Sequence, residues 1–223
     1  WELVSAYASA LSEYPNFALN LVTGNKLYLS PEEQSKSGRE SLKQLVERTR
    51  AVFSGEVFVG AEGLCEAAAE LASRHGLVPF LLFDKPFPQE VEVCKKASCQ
   101  SIAVYIPFYV AEEAIDLDLF ILQKLGSYLL RRKWVVQKLS DEGVDVEAVR
   151  ELIERGEVEK SSLGGAWDVL LECSDYLCAC GSLEEVVEKL ESVAFSGANV
   201  VVGYALEETK QQLQLFAKAA RES

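Results

Sequence analysis

Short apolar runs alternate with amphipathic stretches along this chain, and the alternation sets the expected fold. Six runs have strand character: Phe17 to Val22, Val57 to Val59, Leu77 to Phe83, Ser101 to Phe108, Leu177 to Cys180 and Asn199 to Gly203. They are continuous rather than alternating, as strands are when both faces are covered. Helical periodicity fills the spaces between them. Leu3 to Tyr14 reads as a helix with Leu3, Tyr7 and Leu11 on one face, ended by Pro15. A long helix is predicted from about Pro31 to Ser54. Ser30 caps it, Glu33 completes a capping box, and Leu42, Leu45, Val46, Thr49 and Phe53 line its inner face. Further helices are expected through Arg74, where Gly76 ends the helix, over Pro88 to Ala97, and over Glu207 to Arg221. Ser182 and Glu185 form a second capping box, opening a helix that Gly197 stops. The stretch from Ala111 to Glu172 reads as helical throughout, broken near Gly143, Gly156 and Gly164-Gly165. It is a helical insert before the penultimate strand.

Strands that each lead into a helix make a parallel sheet. A doubly wound open sheet and a closed β/α barrel both satisfy the pattern. In either, functional residues are expected in the loops after the strand C-termini. The 223 residues suit one large domain or two small ones, with a core large enough to need no metal or disulfide.

Charge narrows the partners. The formal net charge is −13, and the densest basic run is only Arg131-Arg132-Lys133. Nucleic acid requires a basic stripe that releases counterions, and an anionic membrane surface requires much the same, so neither is an expected partner. No apolar run approaches the ~18 residues of a membrane span. Trp1-Glu2-Leu3 has no basic n-region, so no signal peptide is expected, and the chain contains no Met at all. The six cysteines, Cys65, Cys94, Cys99, Cys173, Cys178 and Cys180, include no C-x-x-C pair, and His75 is the sole histidine. Zinc or iron–sulfur ligation is therefore not expected. Buried free thiols suggest a reducing compartment, the cytoplasm.

Three strand-end loops are candidates for chemistry. Gly60-Ala61-Glu62-Gly63 follows a strand and opens a helix, where glycines admit a ligand to the backbone and the helix N-terminus favours a phosphate. Thr23-Gly24-Asn25, with Lys26 beyond, offers a hydroxyl, an amide and a cation after the first strand. The third, Gly203-Tyr204-Ala205, follows the last strand and has no positive charge. Each also reads simply as a turn. A lone histidine at a helix end leaves no Ser-His-Asp or Cys-His machinery. Glu62 and Asp84 are carboxylates at strand ends by position only. So few acid–base groups suit a site where a bound cofactor does the chemistry.

The segment from Tyr176 to Phe216 carries a resemblance. A short strand, then Gly181-Ser182-Leu183-Glu184-Glu185, a helix, Ser196-Gly197-Ala198 and a final apolar strand resemble the end of the luciferase-like family. The similarity is greatest to archaeal members that use coenzyme F420, including methylenetetrahydromethanopterin reductases. Asn20 to Gly24, Val57 to Gly63 and Ile102 to Glu113 resemble earlier family segments in the same order. The resemblance implies a single domain over residues 1–223, the later part of a (β/α)8 TIM-barrel-like fold, incomplete or shortened because the first family strands have no counterpart. It implies an oxidoreductase, as in the family's reductases and monooxygenases, passing hydride between coenzyme F420 or a flavin such as FMN and a small organic substrate. By the same resemblance Gly60, Ala61, Glu62 and Gly63 hold the cofactor phosphate. Thr23, Gly24 and Asn25 line the ring or substrate, and the protein is a homodimer. Asn25 stands where some members carry an acidic residue. The alternative is a shortened barrel that binds cofactor or a partner without catalysis.

Overall fold

The structure, a computed structural model, describes residues 18–22, 38–112 and 115–223. Among them are six strands: β1 (Ala18–Leu21), β2 (Glu56–Gly60), β3 (Val78–Leu82), β4 (Ala103–Val110), β5 (Ala179–Gly181) and β6 (Val200–Ala205). They form one sheet in the order β1-β2-β3-β4-β5, and β6 also pairs with β4. Every pairing along β1 to β5 is parallel, with registers such as Leu19↔Val57, Val59↔Pro79, Leu81↔Val104 and Phe108↔Ala179. The α/β class and the parallel sheet expected from strand–helix alternation are therefore present.

The described residues pack as two compact units. The first runs up to Leu82 and takes in Pro86–Tyr105 and Ala194–Val202; the second holds Phe83–Lys85, Ile106–Val193 and Gly203–Ser223.

In the first unit three helices lie between strands: α1 (Gly38–Arg50), α2 (Cys65–His75) and α3 (Phe87–Lys96). Leu42 and Val46 of α1, Val59 of β2, Leu81 of β3 and Val91 of α3 are wholly buried. Four alanines of α2 (Ala67, Ala68, Ala69 and Ala72) are buried too, and their small side chains let the helix lie close to its neighbours. Phe58, Phe80 and Tyr105 stand side by side on β2, β3 and β4, with ring centroids 5.6 and 6.1 Å apart, as cross-strand aromatic pairs do. Gly76 closes α2 in the left-handed conformation at φ 61, where a Cβ would be strained.

The predicted long helix ends at Arg50, short of Ser54. Helical backbone bonds still run on to Phe53, whose N–H donates to Thr49 O at 2.8 Å. The Arg50 guanidinium ties down the turn that follows: Nη1 donates to the carbonyls of Gly55 at 2.7 Å and Phe53 at 3.5 Å, and Nη2 to that of Gly76 at 3.0 Å. The buried Phe53 ring lies 2.4 Å from where a Gly55 Cβ would stand. The predicted cap at Ser30, Pro31 and Glu33, and the helix over Leu3 to Tyr14, lie outside the described residues.

The second unit contains the insert. Five helices, α4 (Leu117–Leu129), α5 (Lys133–Asp141), α6 (Val146–Arg155), α7 (Lys160–Leu163) and α8 (Gly165–Ser174), separate β4 from β5. Leu122, Leu129, Leu139 and Leu170 are fully buried in their shared core. Three of the breaks come where glycines were expected to make them, at Gly143, Gly156 and Gly164, all with positive φ. The break at Leu130 to Arg132 has neither Gly nor Pro. Asp116 and Asp145 cap α4 and α6 by accepting from backbone N–H groups.

The helix α9 (Leu183–Ser196) opens on the predicted capping box. Ser182 N donates to Glu185 Oε2 at 2.7 Å, and Glu185 N to Ser182 Oγ at 3.3 Å. The last helix is α10 (Lys210–Glu222), capped by Thr209. The stretch Gly203-Tyr204-Ala205, expected as a loop, is the end of β6 instead. Phe216 of α10 stacks on Phe108 of β4 at 4.0 Å, and a Cβ on Gly203 would sit 2.5 Å from the Phe216 ring. That glycine serves close packing rather than a turn. No helix among the described residues is long and apolar enough to cross a membrane.

Candidate functional site

The C-terminal ends of β1 and β2 are neighbours, because the two strands pair in parallel through Leu21↔Val59. Val22 lies just past β1, and its Cγ1 would be 2.7 Å from a Cβ on Gly60. Gly60 therefore lets the two strand ends close together. The next residue, Ala61, is buried and donates its N–H to Phe80 O at 3.0 Å, so the start of the loop is tied to β3. Glu62 and Gly63 are exposed. Gly63 adopts φ 68, and nothing lies within 4 Å of its absent Cβ. Leu64 then leads into α2 without a side-chain cap.

Such a loop offers backbone N–H groups at the positive end of an eleven-residue helix, in open space and with no side chain over Gly63. That donor set fits a phosphate. Glu62 adds a carboxylate, which must point away from any anion held there. Thr23, Gly24 and Asn25 lie outside the described residues. Among the seven candidate site residues, the described four form this one continuous loop.

The second unit has two further features at strand ends; sequence reasoning missed the first and named Asp84, the centre of the second, by position only. At the end of β4 a cleft of about 180 Å³ is lined by Tyr109, Glu112, Glu207, Thr209, Gln211 and Gln212, among others. Gln212 is buried, and its amide makes both backbone bonds of Val110: Val110 N donates to Oε1 and Nε2 donates to Val110 O, each at 2.8 Å. The strand β6 has run out by then; its last bond to β4 comes just after it, from Leu206 N to Phe108 O. The side-chain amide thus continues the ladder where the strand stops. Gln211 donates to Glu112 across the cleft. With two carboxylates and no cation in its lining, the cleft suits an uncharged polar or a cationic group, not a phosphate. The Thr209-x-x-Gln212 spacing of a capping box could have drawn attention to Gln212.

The other feature is Asp84, after β3. Its Oδ1 accepts from Trp134 Nε1 and from Lys85 N, both at 2.7 Å, and its Oδ2 pairs with Arg132 Nε at 3.5 Å. Arg132 also donates to Tyr128 Oη, its guanidinium lying 4.3 Å from that ring's centroid. Asp84 is thus engaged on both oxygens. It fastens the unpunctuated break at Leu130 to Arg132, and no nearby signal in the sequence reveals a partner 50 residues away.

All six cysteines are free. Among the described residues no group of His, Cys, Asp and Glu could hold a metal ion.

Comparison with solved structures gives the fold a setting. The chain is similar to an F420-dependent secondary alcohol dehydrogenase in complex with an F420-acetone adduct, at 12% identity and TM-score 0.59, covering 99% of this chain and 74% of that one. It is similar to apo-MsnO8 at 13% identity and TM-score 0.56, covering 100% and 73%. A third likeness is to monooxygenase RslO1 from Streptomyces bottropensis, at 15% identity and TM-score 0.54, covering 97% and 73%. At such identities the likeness concerns the fold, which is TIM-barrel-like with six described strands and a helical insert before the fifth. No curated protein matches the chain. One family model matches residues 7–212, and by that match the chain belongs to a family of unknown function, DUF7388.

Proposed function

We propose that this protein is an oxidoreductase that binds coenzyme F420 or FMN and acts on a small organic substrate. The observation that carries the reading is the loop from Gly60 to Gly63: an open, glycine-bearing passage from a parallel strand into a helix N-terminus. It is supported by the sequence resemblance to luciferase-like enzymes and by a fold similar to that of an F420-dependent dehydrogenase and a monooxygenase. Gly60 and Ala61 would act as the strand-anchored stem of the loop. The amides of Glu62 and Gly63, with those of the first turn of α2, would take the cofactor phosphate. Thr23, Gly24 and Asn25 would line the ring or substrate, an assignment that rests on the resemblance alone, as does a homodimeric assembly; a cytoplasmic setting rests on the free thiols. When bound, the ring supplies hydride transfer. The chain's own contribution is to hold the phosphate, orient the ring and exclude water.

The test is direct. The purified full chain is titrated separately with coenzyme F420 and FMN, following fluorescence. Saturable binding of one is expected. Gly63→Asp, which sets a carboxylate beside the phosphate, should weaken it about tenfold or more, a loss of ~1.4 kcal/mol. If neither cofactor binds the folded protein, the reading fails. A second reading, cofactor binding without catalysis, is favoured by one observation: the part-buried strand-end carboxylate, Asp84, has both oxygens engaged by its neighbours. Binding with no reduction or oxidation of the cofactor by any of a panel of alcohols and aldehydes would support it.

A further inference from the structure

Three cysteines, Cys65 and the later pair Cys94 and Cys99, converge in the first unit. Cys65 is the first residue of α2, Cys94 lies in α3, and Cys99 follows α3. Cys65 Sγ donates to Glu90 O at 3.5 Å, one helical turn before Cys94. Cys99 Sγ donates to Ala69 O at 3.5 Å, one turn beyond Cys65. Cys99 N donates to Cys94 O at 3.1 Å. Glu90 O is the carbonyl that the Cys94 N–H meets in α3, so the Cys65 thiol lies against the turn that carries Cys94, and each of the two thiols shifts the other's titration. Cys94 is wholly buried and Cys65 half-buried.

From this placement we propose that Cys65 and Cys94 are a thiol–disulfide pair, in which Cys65 reacts with a low-molecular-weight disulfide and Cys94 resolves the adduct into a bridge between α2 and α3. The assignment of roles follows from the surroundings. The hydrogen bond from Cys94 holds the Cys65 thiol below its ordinary pKa, outweighing burial and the carboxylates of Glu90 and Glu66, which push it up. Its place at a helix N-terminus favours the thiolate further. Cys94 is pushed up by its bond to Cys65 and by burial, with Cys99 and Glu90 adding to the effect. Burial likewise raises Cys99. Of the three, Cys65 alone is both partly exposed and held below its ordinary pKa.

The chemistry balances. The Cys65 thiolate attacks one sulfur of RSSR, forming the mixed disulfide and releasing RS⁻, which takes up the Cys65 proton as RSH. Cys94, losing its proton, attacks the Cys65 sulfur, forms the Cys65–Cys94 bond and expels the second RSH. Two thiols lose two electrons and two protons, and RSSR gains both. The proposal stands apart from the cofactor reading, since it needs no ligand in the Gly60–Gly63 loop.

The full wild-type chain is incubated with oxidised glutathione, quenched in acid, alkylated and digested without reduction. Mass spectrometry is expected to find the Cys65 and Cys94 peptides joined, lighter by two hydrogens, with a Cys65–glutathione adduct preceding them in the time course. Cys94→Ala should trap that adduct, and Cys65→Ser should abolish both species. Where Cys94→Ala does not fold by circular dichroism, the wild-type time course decides alone. A stable Cys65 adduct with no bridge overturns the proposal. So does a bridge joining Cys94 to Cys99, a bridge confined to Cys178 and Cys180, or no reaction at Cys65.

Discussion

Replacing Gln212 by leucine should destabilise the protein more than an ordinary substitution of a polar residue near a surface cleft. The side chains are similar in size, and leucine loses no apolar contact. What it removes is both partners of Val110, whose N–H and C=O lie 2.8 Å from the Gln212 amide on a residue only 1% exposed. A buried backbone group left without a partner costs about 1–3 kcal/mol. Two such groups, offset in part by the apolar character of leucine, put the loss at about 2–4 kcal/mol. The Thr209 cap on α10 uses the backbone N–H of Gln212, at 3.1 Å, and survives the change. For a chain of this size the loss corresponds to a fall in Tm of about 5–15 °C. Urea unfolding followed by circular dichroism measures it, with Gln212→Glu alongside. The glutamate keeps an acceptor for Val110 N–H but sets a carboxylate against the carbonyl, so it should not restore stability. If Gln212→Leu unfolds within ~0.5 kcal/mol of wild type, the side-chain amide is not closing the ladder and water is.

Two further outcomes follow from the geometry. Gly203→Ala places a methyl 2.5 Å from the Phe216 ring and 2.9 Å from Phe108, so it should cost about 1–3 kcal/mol by overpacking and weaken the near-ultraviolet aromatic signal. At acid pH, Glu185 should titrate below the ordinary glutamate range in an NMR titration, because the N–H and hydroxyl of Ser182 both stabilise its carboxylate. A depressed folded pKa means that its contribution is present above the unfolded value and is lost as pH falls through the folded one; Ser182→Ala should return the midpoint toward the ordinary range.

Much of the layout was legible in the sequence because it is written in local terms. Leu77 to Phe83 reads as a strand since a continuous apolar run bounded by Gly76 admits little else, and Ser182 with Glu185 announces a helix within four residues. The insert was legible for the same reason, its glycines marking three of the four breaks. The fourth, at Leu130 to Arg132, was not, because it is held by Asp84 from another part of the chain. Distance along the chain also hid the role of Gln212, which serves a residue 102 positions earlier. The end of the last strand misled in the opposite direction. Gly203 reads locally as the point where the strand gives way to a turn, yet β6 runs on to Ala205, and the missing side chain makes room for an aromatic ring. Of the candidate site, the Gly60–Gly63 loop was legible as a strand-to-helix passage. The commitment of the Ala61 N–H to β3 was not, since only the sheet register supplies its partner.

The Arg50 guanidinium has a consequence for how the first unit loosens. One side chain gathers carbonyls from the turn into β2 and from the C-cap of α2, and it belongs itself to the last turn of α1. Ends of elements ordinarily fray one at a time, each at its own small free-energy cost. Here three of them share a single knot, so opening any one withdraws support from the other two. Fraying at this end of the unit becomes a collective event, rarer than the separate motions it replaces, and larger when it comes.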